Sequence, residues 1–210
     1  DHSYLQSFLL YKTAKPYYYQ VYLADHDINV ELAPTDRAAS LLFTYPAGEV
    51  SGVVVDAYDE GSYIKILPAQ NAIVGYTTKN CGGVPENFRN WFVVKFDKPF
   101  ESTMVYDGPS RGLGDALEFE GNHALASVGF CTQRGEQVNV KVASSFISLE
   151  QAWLNLEEVG DKTFAEVKGY DFVAMDDVSY TVKYDLNGGE GSIPDGKKGH
   201  DSPYTLTDKK

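Results

Sequence analysis

Sulfur is scarce in this chain: its 210 residues include two cysteines and two methionines, and tryptophan also occurs only twice. Cys81 and Cys131 lie far apart and fit no metal-ligand spacing, which excludes a zinc module or a disulfide-dense scaffold. Two readings of the pair stay open, one disulfide in an exported protein or two buried thiols. Positive charge is scarce as well. The 18 Lys and Arg against 30 Asp and Glu give a formal net charge of −12. No basic cluster exists to displace counterions from phosphates, so neither nucleic acid nor an anionic membrane surface is an expected partner. The chain also lacks the roughly 18-residue apolar run of a membrane span and the basic-then-apolar start of a retained signal peptide. A Gly-rich phosphate loop and a nucleophile elbow are missing too. These absences leave a neutral or cationic ligand, or a divalent cation.

What the chain has in quantity is apolar and aromatic residues, 43% and 13% of the total, enough to bury a large core. Short β-branched or alternating stretches recur after Pro16, at 17–23, 28–32, 41–46, 50–56, 62–67 and 72–76, each bounded by Pro, Gly, Asn or Asp. Further ones follow at 91–100, 115–119, 124–130 and 137–146. Each such strand must hide one face, and stacked sheets hide them all. The expected fold is therefore all-β, a large antiparallel β-sandwich of a dozen or more strands. Residues 1–16 lack a clean period and are expected to wrap an edge.

The organising stretch is Gly135 to Leu156, where two periods meet. Val138, Val140, Val142 and Phe146 alternate with Gln137, Asn139, Lys141 and Ser145, which predicts a half-buried strand with the first set inside. At Ser148 the period becomes helical. Ser148 is placed as N-cap with Gln151 as its capping-box partner, and Leu149, Ala152, Trp153 and Leu156 form one face of a short helix near 148–158. Trp153 is expected to pack beneath that helix.

The run VKVASSFIS-x-EQA-x-x-NL, with the FAEVK that follows it, resembles the end of the N-terminal domain of glycoside hydrolase family 92, the calcium-dependent exo-α-mannosidases. The same family's pattern extends back through KPYYYQVYL and INVELAPTDRAASLLFTYP, where Glu31, Leu32, Thr35, Arg37, Phe43, Thr44 and Pro46 match. Tyr18 and Leu41 depart from it, standing where the family usually has glycine and histidine. The resemblance runs from about residue 16 to 168. It implies a non-catalytic β-sandwich domain of a secreted bacterial enzyme, which shapes a site for a mannose-containing glycan against a helical catalytic domain. In the family the catalytic carboxylates and most calcium ligands belong to that helical domain, so no catalytic residue, metal ligand or cofactor is assigned to this chain.

For residues 1–168 the sequence alone selects no acid–base pair from its many carboxylates. It does offer one long segment without strand character, Thr77 to Asn90, carrying two glycines that would permit close backbone approach. Asn80, Asn87 and Arg89 supply amide and guanidinium donors there, and Phe88 and the neighbouring Trp91 supply rings, a mixture that suits a sugar. His123, at the mouth of the next turn, is a further carbohydrate-facing candidate, although a local hydrogen bond is the commoner use of such a histidine. Residues 169–210 read as a linker and a partial β-repeat of the kind found in bacterial surface proteins, with VSYTVKYDLNGG as a strand entering a hairpin. Asp185 to Gly191 lacks the twelfth-position ligand of a calcium loop. This tail motivates an alternative function, a carbohydrate-binding or spacer module on a bacterial surface protein.

Overall fold

The computed structural model describes residues 9–169 and two short strands at 179–182 and 196–199. The chain divides into two compact units, one up to Tyr170 and one from Asp171. The first unit contains β1 (Leu9–Lys15), β2 (Tyr18–Leu23), β3 (Ile28–Pro34), β4 (Ala38–Thr44), β5 (Gly48–Asp56), β6 (Ser62–Leu67) and β7 (Ala72–Thr77). It continues with β8 (Asn90–Phe96), β9 (Ser102–Asp107), β10 (Arg111–Gly112), β11 (Glu118–Gly121), β12 (Ala124–Thr132) and β13 (Gln137–Ser145), then α1 (Leu149–Leu156) and α2 (Phe164–Lys168). The second unit contributes β14 (Ser179–Val182) and β15 (Gly196–Gly199), an antiparallel pair. The expected hairpin turn at 187–189 lies outside the described residues.

Nine strands form one antiparallel sheet in the order β1-β2-β3-β4-β13-β8-β7-β6-β11, and four form a second, β10-β9-β12-β5. Val138, Val140, Ile64, Ile66, Ile73 and Phe96 from the large sheet meet Val105, Ala126, Val128 and Phe130 from the small one in a closed apolar layer. This is a β-sandwich. The opening segment, expected at an edge, supplies β1 as the edge strand. β9 and β10, which lack a long alternation, were not expected as strands. They form because β12 offers β9 a paired edge, from Ala124 opposite Asp107 to Gly129 opposite Ser102.

A third layer changes the reading of β13. The outer face of the large sheet is covered by α1 and α2, and a second core forms there from Val74, Val93, Ala143, Ala152, Leu156, Val159, Phe164 and Val167. Near its end β13 is therefore buried on its outer face, with Ala143 and Ser145 inside although polar spacing placed Ser145 outside. Val138 and Val140 are buried and Val142 is half-buried, as the alternation requires. Phe146 is not buried: it is 71% exposed. Ser144, in the same phase, is exposed too, so the cover over that face ends after Val142 and the alternation outlasts the core.

Ser148 caps α1, its hydroxyl accepting from the Gln151 amide at 3.1 Å. The capping box is not closed, because the Gln151 side chain donates instead to Asn155 Oδ1 at 2.9 Å, and Asn155 in turn donates to the Ser144 carbonyl. Trp153 is half-buried against the second core and does not lie wholly beneath the helix.

Past the helix, Glu158 fastens the layers. Its carboxylate accepts from Thr35 Oγ1 (2.8 Å), the Arg37 backbone amide (2.9 Å) and Arg37 Nε (2.5 Å). Thr35 and Arg37 thus lock the β3–β4 turn to the end of α1. Burial pushes the Glu158 carboxyl up, but the Arg37 and Thr35 donors outweigh it and hold the group below its usual range. A carboxyl lowered in the folded state contributes stability that is present above its unfolded value of about 4.3 and lost as pH falls through the folded one. Glu158→Gln should cost about 2 kcal/mol at neutral pH, and the gap to the parent should narrow when the pH is taken below the lowered folded value. Denaturant midpoints of both proteins at the two pH values check this; a gap that does not change with pH would assign the loss to shape alone.

Candidate functional site

Strand register puts several connections at one end of the sandwich. Ser145 pairs with Trp91 at the end of β13, Asn90 with Thr77, and Thr77 with Ser62, whose neighbour β11 ends at Gly121 opposite it. The loop 78–89, the β5–β6 turn and the β11–β12 turn therefore meet. Backbone bonds join them, from Thr78 N to the Gly61 carbonyl and from Gly61 N to the Asn122 carbonyl. Lys79 strengthens the junction by pairing with Asp59 and Glu60 at 2.9 and 2.6 Å, which pushes its ammonium up.

The five residues singled out from the sequence do not form one cluster. Asn80 closes its own turn, donating to the Thr78 carbonyl and accepting from Gly82 N. Gly82 and Gly83 follow with φ of 94° and 75°, and nothing lies within 4 Å of where their Cβ atoms would be. The left-handed backbone, not close approach, is what glycine supplies there. Asn87 is exposed. Phe88 packs against Phe146 at a ring separation of 5.6 Å. With Ile147, 78% exposed, the two rings make an apolar ridge at this end of the domain. His123 stands apart, its Nε2 2.7 Å from Oδ1 of Asp56 at the end of β5, a bond between strands and not one within its own turn.

Arg89 leads to two tyrosines that sequence reasoning missed, beside the Trp91 that it had singled out. Its guanidinium lies 4.7 Å over the Tyr76 ring, a cation–π contact. Tyr63, Tyr76 and Trp91 are cross-strand partners on the outer face of β6, β7 and β8, with Tyr76 edge-on to Trp91 at 4.9 Å. At the edge Tyr76 donates to Glu120 Oε1 (2.5 Å) and Tyr63 to Glu118 Oε2 (2.7 Å). Burial first, and then these carboxylates, push both phenols up. Lys65 and the Tyr63 hydroxyl hold the Glu118 carboxyl below its ordinary range, so it is an ionised acceptor, not a proton donor. The one signal in the sequence was an aromatic on each strand, and it could not be joined without the register.

This arrangement can bind and orient; its carboxylates are engaged by tyrosine hydroxyls and lysines. Among the described residues no group of three or more His, Cys, Asp and Glu is placed to hold a metal ion. No calcium ligand is therefore assigned to these residues, and no step is routed through the ion. Cys81 and Cys131 are both exposed and no bridge joins them, which removes both the disulfide and the buried-thiol readings. No described helix is long and apolar enough to cross a membrane. Leu41, at the position where the family's histidine was expected, pairs with Val140 and packs against the inter-sheet core.

Residues 4–145 match the family model described as the glycosyl hydrolase family 92 N-terminal domain. Among solved structures, a family GH92 inverting mannosidase from Bacteroides thetaiotaomicron is 34% identical, with a TM-score of 0.70 over 75% of this chain and 21% of that one. A family GH92 α-mannosidase from the same bacterium is 26% identical, with a TM-score of 0.68 over 75% of this chain and 22% of its own length. A further gh92 family glycosyl hydrolase shares the fold at 20% identity and a TM-score of 0.65. No curated protein gives a significant match. The chain thus spans about a fifth of the length of the solved enzymes it resembles.

Proposed function

Because this chain belongs to the glycosyl hydrolase family 92 N-terminal domain family, we propose that it is the non-catalytic sandwich portion of a secreted or cell-surface bacterial α-mannosidase. In this reading a helical domain supplies the catalytic carboxylates and the calcium, and the sandwich shapes the mannose-containing glycan site at their interface. The carrying observation is the 34% identity over three quarters of the chain to an inverting mannosidase about five times its matched length. The exposed ridge of Phe88, Phe146 and Ile147 supports it, since rings and branched side chains exposed together mark a surface that another body covers. Arg89 and the aromatic row behind it lie beside that ridge and are suited to orient a sugar.

Grafting residues 9–169 in place of the matching part of the Bacteroides inverting mannosidase tests the reading. The chimera should release mannose from an α-mannoside, and Phe146→Asp within it should reduce the release at least tenfold. A folded chimera without activity would count against the interface role. The chain alone should release no mannose; release abolished by mutating a carboxylate within 1–168 would make the domain itself catalytic.

A second reading is a carbohydrate-binding or spacer module of a bacterial surface protein. It is favoured by the separate compact unit from Asp171 with its β14–β15 pair, as a small β-repeat would give.

A further inference from the structure

We infer that the groove between α1 and the outer face of the large sheet is a binding site for a short neutral oligosaccharide. The inference stands on the groove's own chemistry and needs neither the family assignment nor a second domain. The groove encloses about 600 Å³, inside the range of about 300–1,000 Å³ over which small-molecule sites fall. Its floor is Lys95 of β8, Asp97 just past that strand, and Asn139 and Lys141 of β13, and α1 walls it with Trp153 and Leu154.

The floor is an unusual piece of sheet. Lys95 and Lys141 are direct cross-strand partners at the centre of the sheet, where like charges opposed are unfavourable. Lys141 is tied back, its Nζ donating to the Gly160 carbonyl at 2.6 Å. Lys95 enters no ion pair among the described residues and is exposed to the groove. Two residues further on, just past the end of β8, Asp97 is also exposed, and its Oδ1 accepts from the Asn139 backbone amide at 2.9 Å. Asn139 is held in place because its Oδ1 accepts from Ser40 Oγ at 2.7 Å, which leaves its amide N–H groups for a ligand.

A hydroxyl donates one hydrogen bond and accepts others, so a polyol fits where fixed donors and acceptors alternate. Here Lys95 and Asn139 donate, Asp97, Glu150 of α1 and Glu157 at its C-terminal cap accept, and Trp153 offers indole surface to the C–H face of a ring. Two lysines against four carboxylates (Asp97, Glu150, Glu157 and Asp161) leave the lining net negative, which disfavours an anionic ligand. Leu154, 55% exposed, extends the apolar rim.

Amide shifts of the full chain, followed while maltose, cellobiose and α-1,2-mannobiose are added separately, test the site, with glucuronate as the anionic control. At least one neutral disaccharide should produce saturable shifts at Lys95, Asp97, Asn139 and along α1, and glucuronate none. Lys95→Met and Asp97→Asn should each weaken that binding about tenfold, the loss of roughly one charged hydrogen bond, while leaving the unfolding midpoint in place. Shifts confined to residues 78–89, equal shifts with glucuronate, undiminished binding by both variants, or no shift with any of the three sugars would each overturn the inference.

Discussion

Truncation of Phe130 to alanine should cost about 3–5 kcal/mol and lower the thermal midpoint of the sandwich by roughly 10 °C. Phe130 is 1% exposed and stands on β12, the strand that pairs with both β5 and β9. Its ring meets Phe96 at 5.8 Å and Phe100 at 6.1 Å, and those two meet edge-on at 5.2 Å. Removing it empties the middle of a three-ring cluster between the sheets, and rings held on two opposing backbones cannot move together to fill the space. Phe146→Ala is the control. Its ring is 71% exposed and touches only one edge of the domain, through Phe88, so its loss should fall within about 0.5 kcal/mol. Tryptophan fluorescence follows the transition in the right unit, since Trp91 and Trp153 both lie in the sandwich. Equal losses from the two phenylalanines would refute this assignment of the core.

Gly75→Ala should be at least as damaging, at more than about 3 kcal/mol or with loss of soluble folded protein. Gly75 lies in the middle of β7, opposite Ile64 and Phe92. A Cβ there would stand 2.1 Å from the Tyr63 carbonyl oxygen and 2.7 Å from the tip of the Phe92 ring. The ring can turn; the carbonyl cannot, because β6 and β7 are paired on both sides of it. The double variant Gly75→Ala/Phe92→Leu separates the two, and should recover only a minor part of the loss. Full recovery, or a Gly75→Ala protein as stable as the parent, would show that β6 gives way.

The strands whose alternation is long and bounded by turn residues were legible, β2 through β8 and β12 and β13 among them, because period and punctuation are properties of neighbouring residues. The cap at Ser148 was legible for the same reason, but its supposed partner was not. Gln151 had a choice between the cap and Asn155, and the burial of Asn155 under the sheet decided it. β9 and β10 were invisible because the pairing of β9 with β12, and of β10 with β9, stabilises them, not their own composition. Of the candidate site, Phe88 and Arg89 fell in contact with other aromatic groups, whereas Asn80 spends its amide on its own turn and His123 pairs with Asp56 on another strand.

Sequence by itself determined the class of fold, the family and the inward set Val138, Val140 and Val142, since each rests on local order along the chain. The tertiary structure decided what lies across from what. It placed α1 and α2 on the outer face, which buried Ser145 and left Phe146 outside. It also turned Thr35 and Arg37 into donors for Glu158, more than a hundred residues away in sequence, and drew Tyr63, Tyr76 and Trp91 into one row. A one-residue change of register would reverse every such side chain, and register is fixed by packing between strands, which no single strand contains.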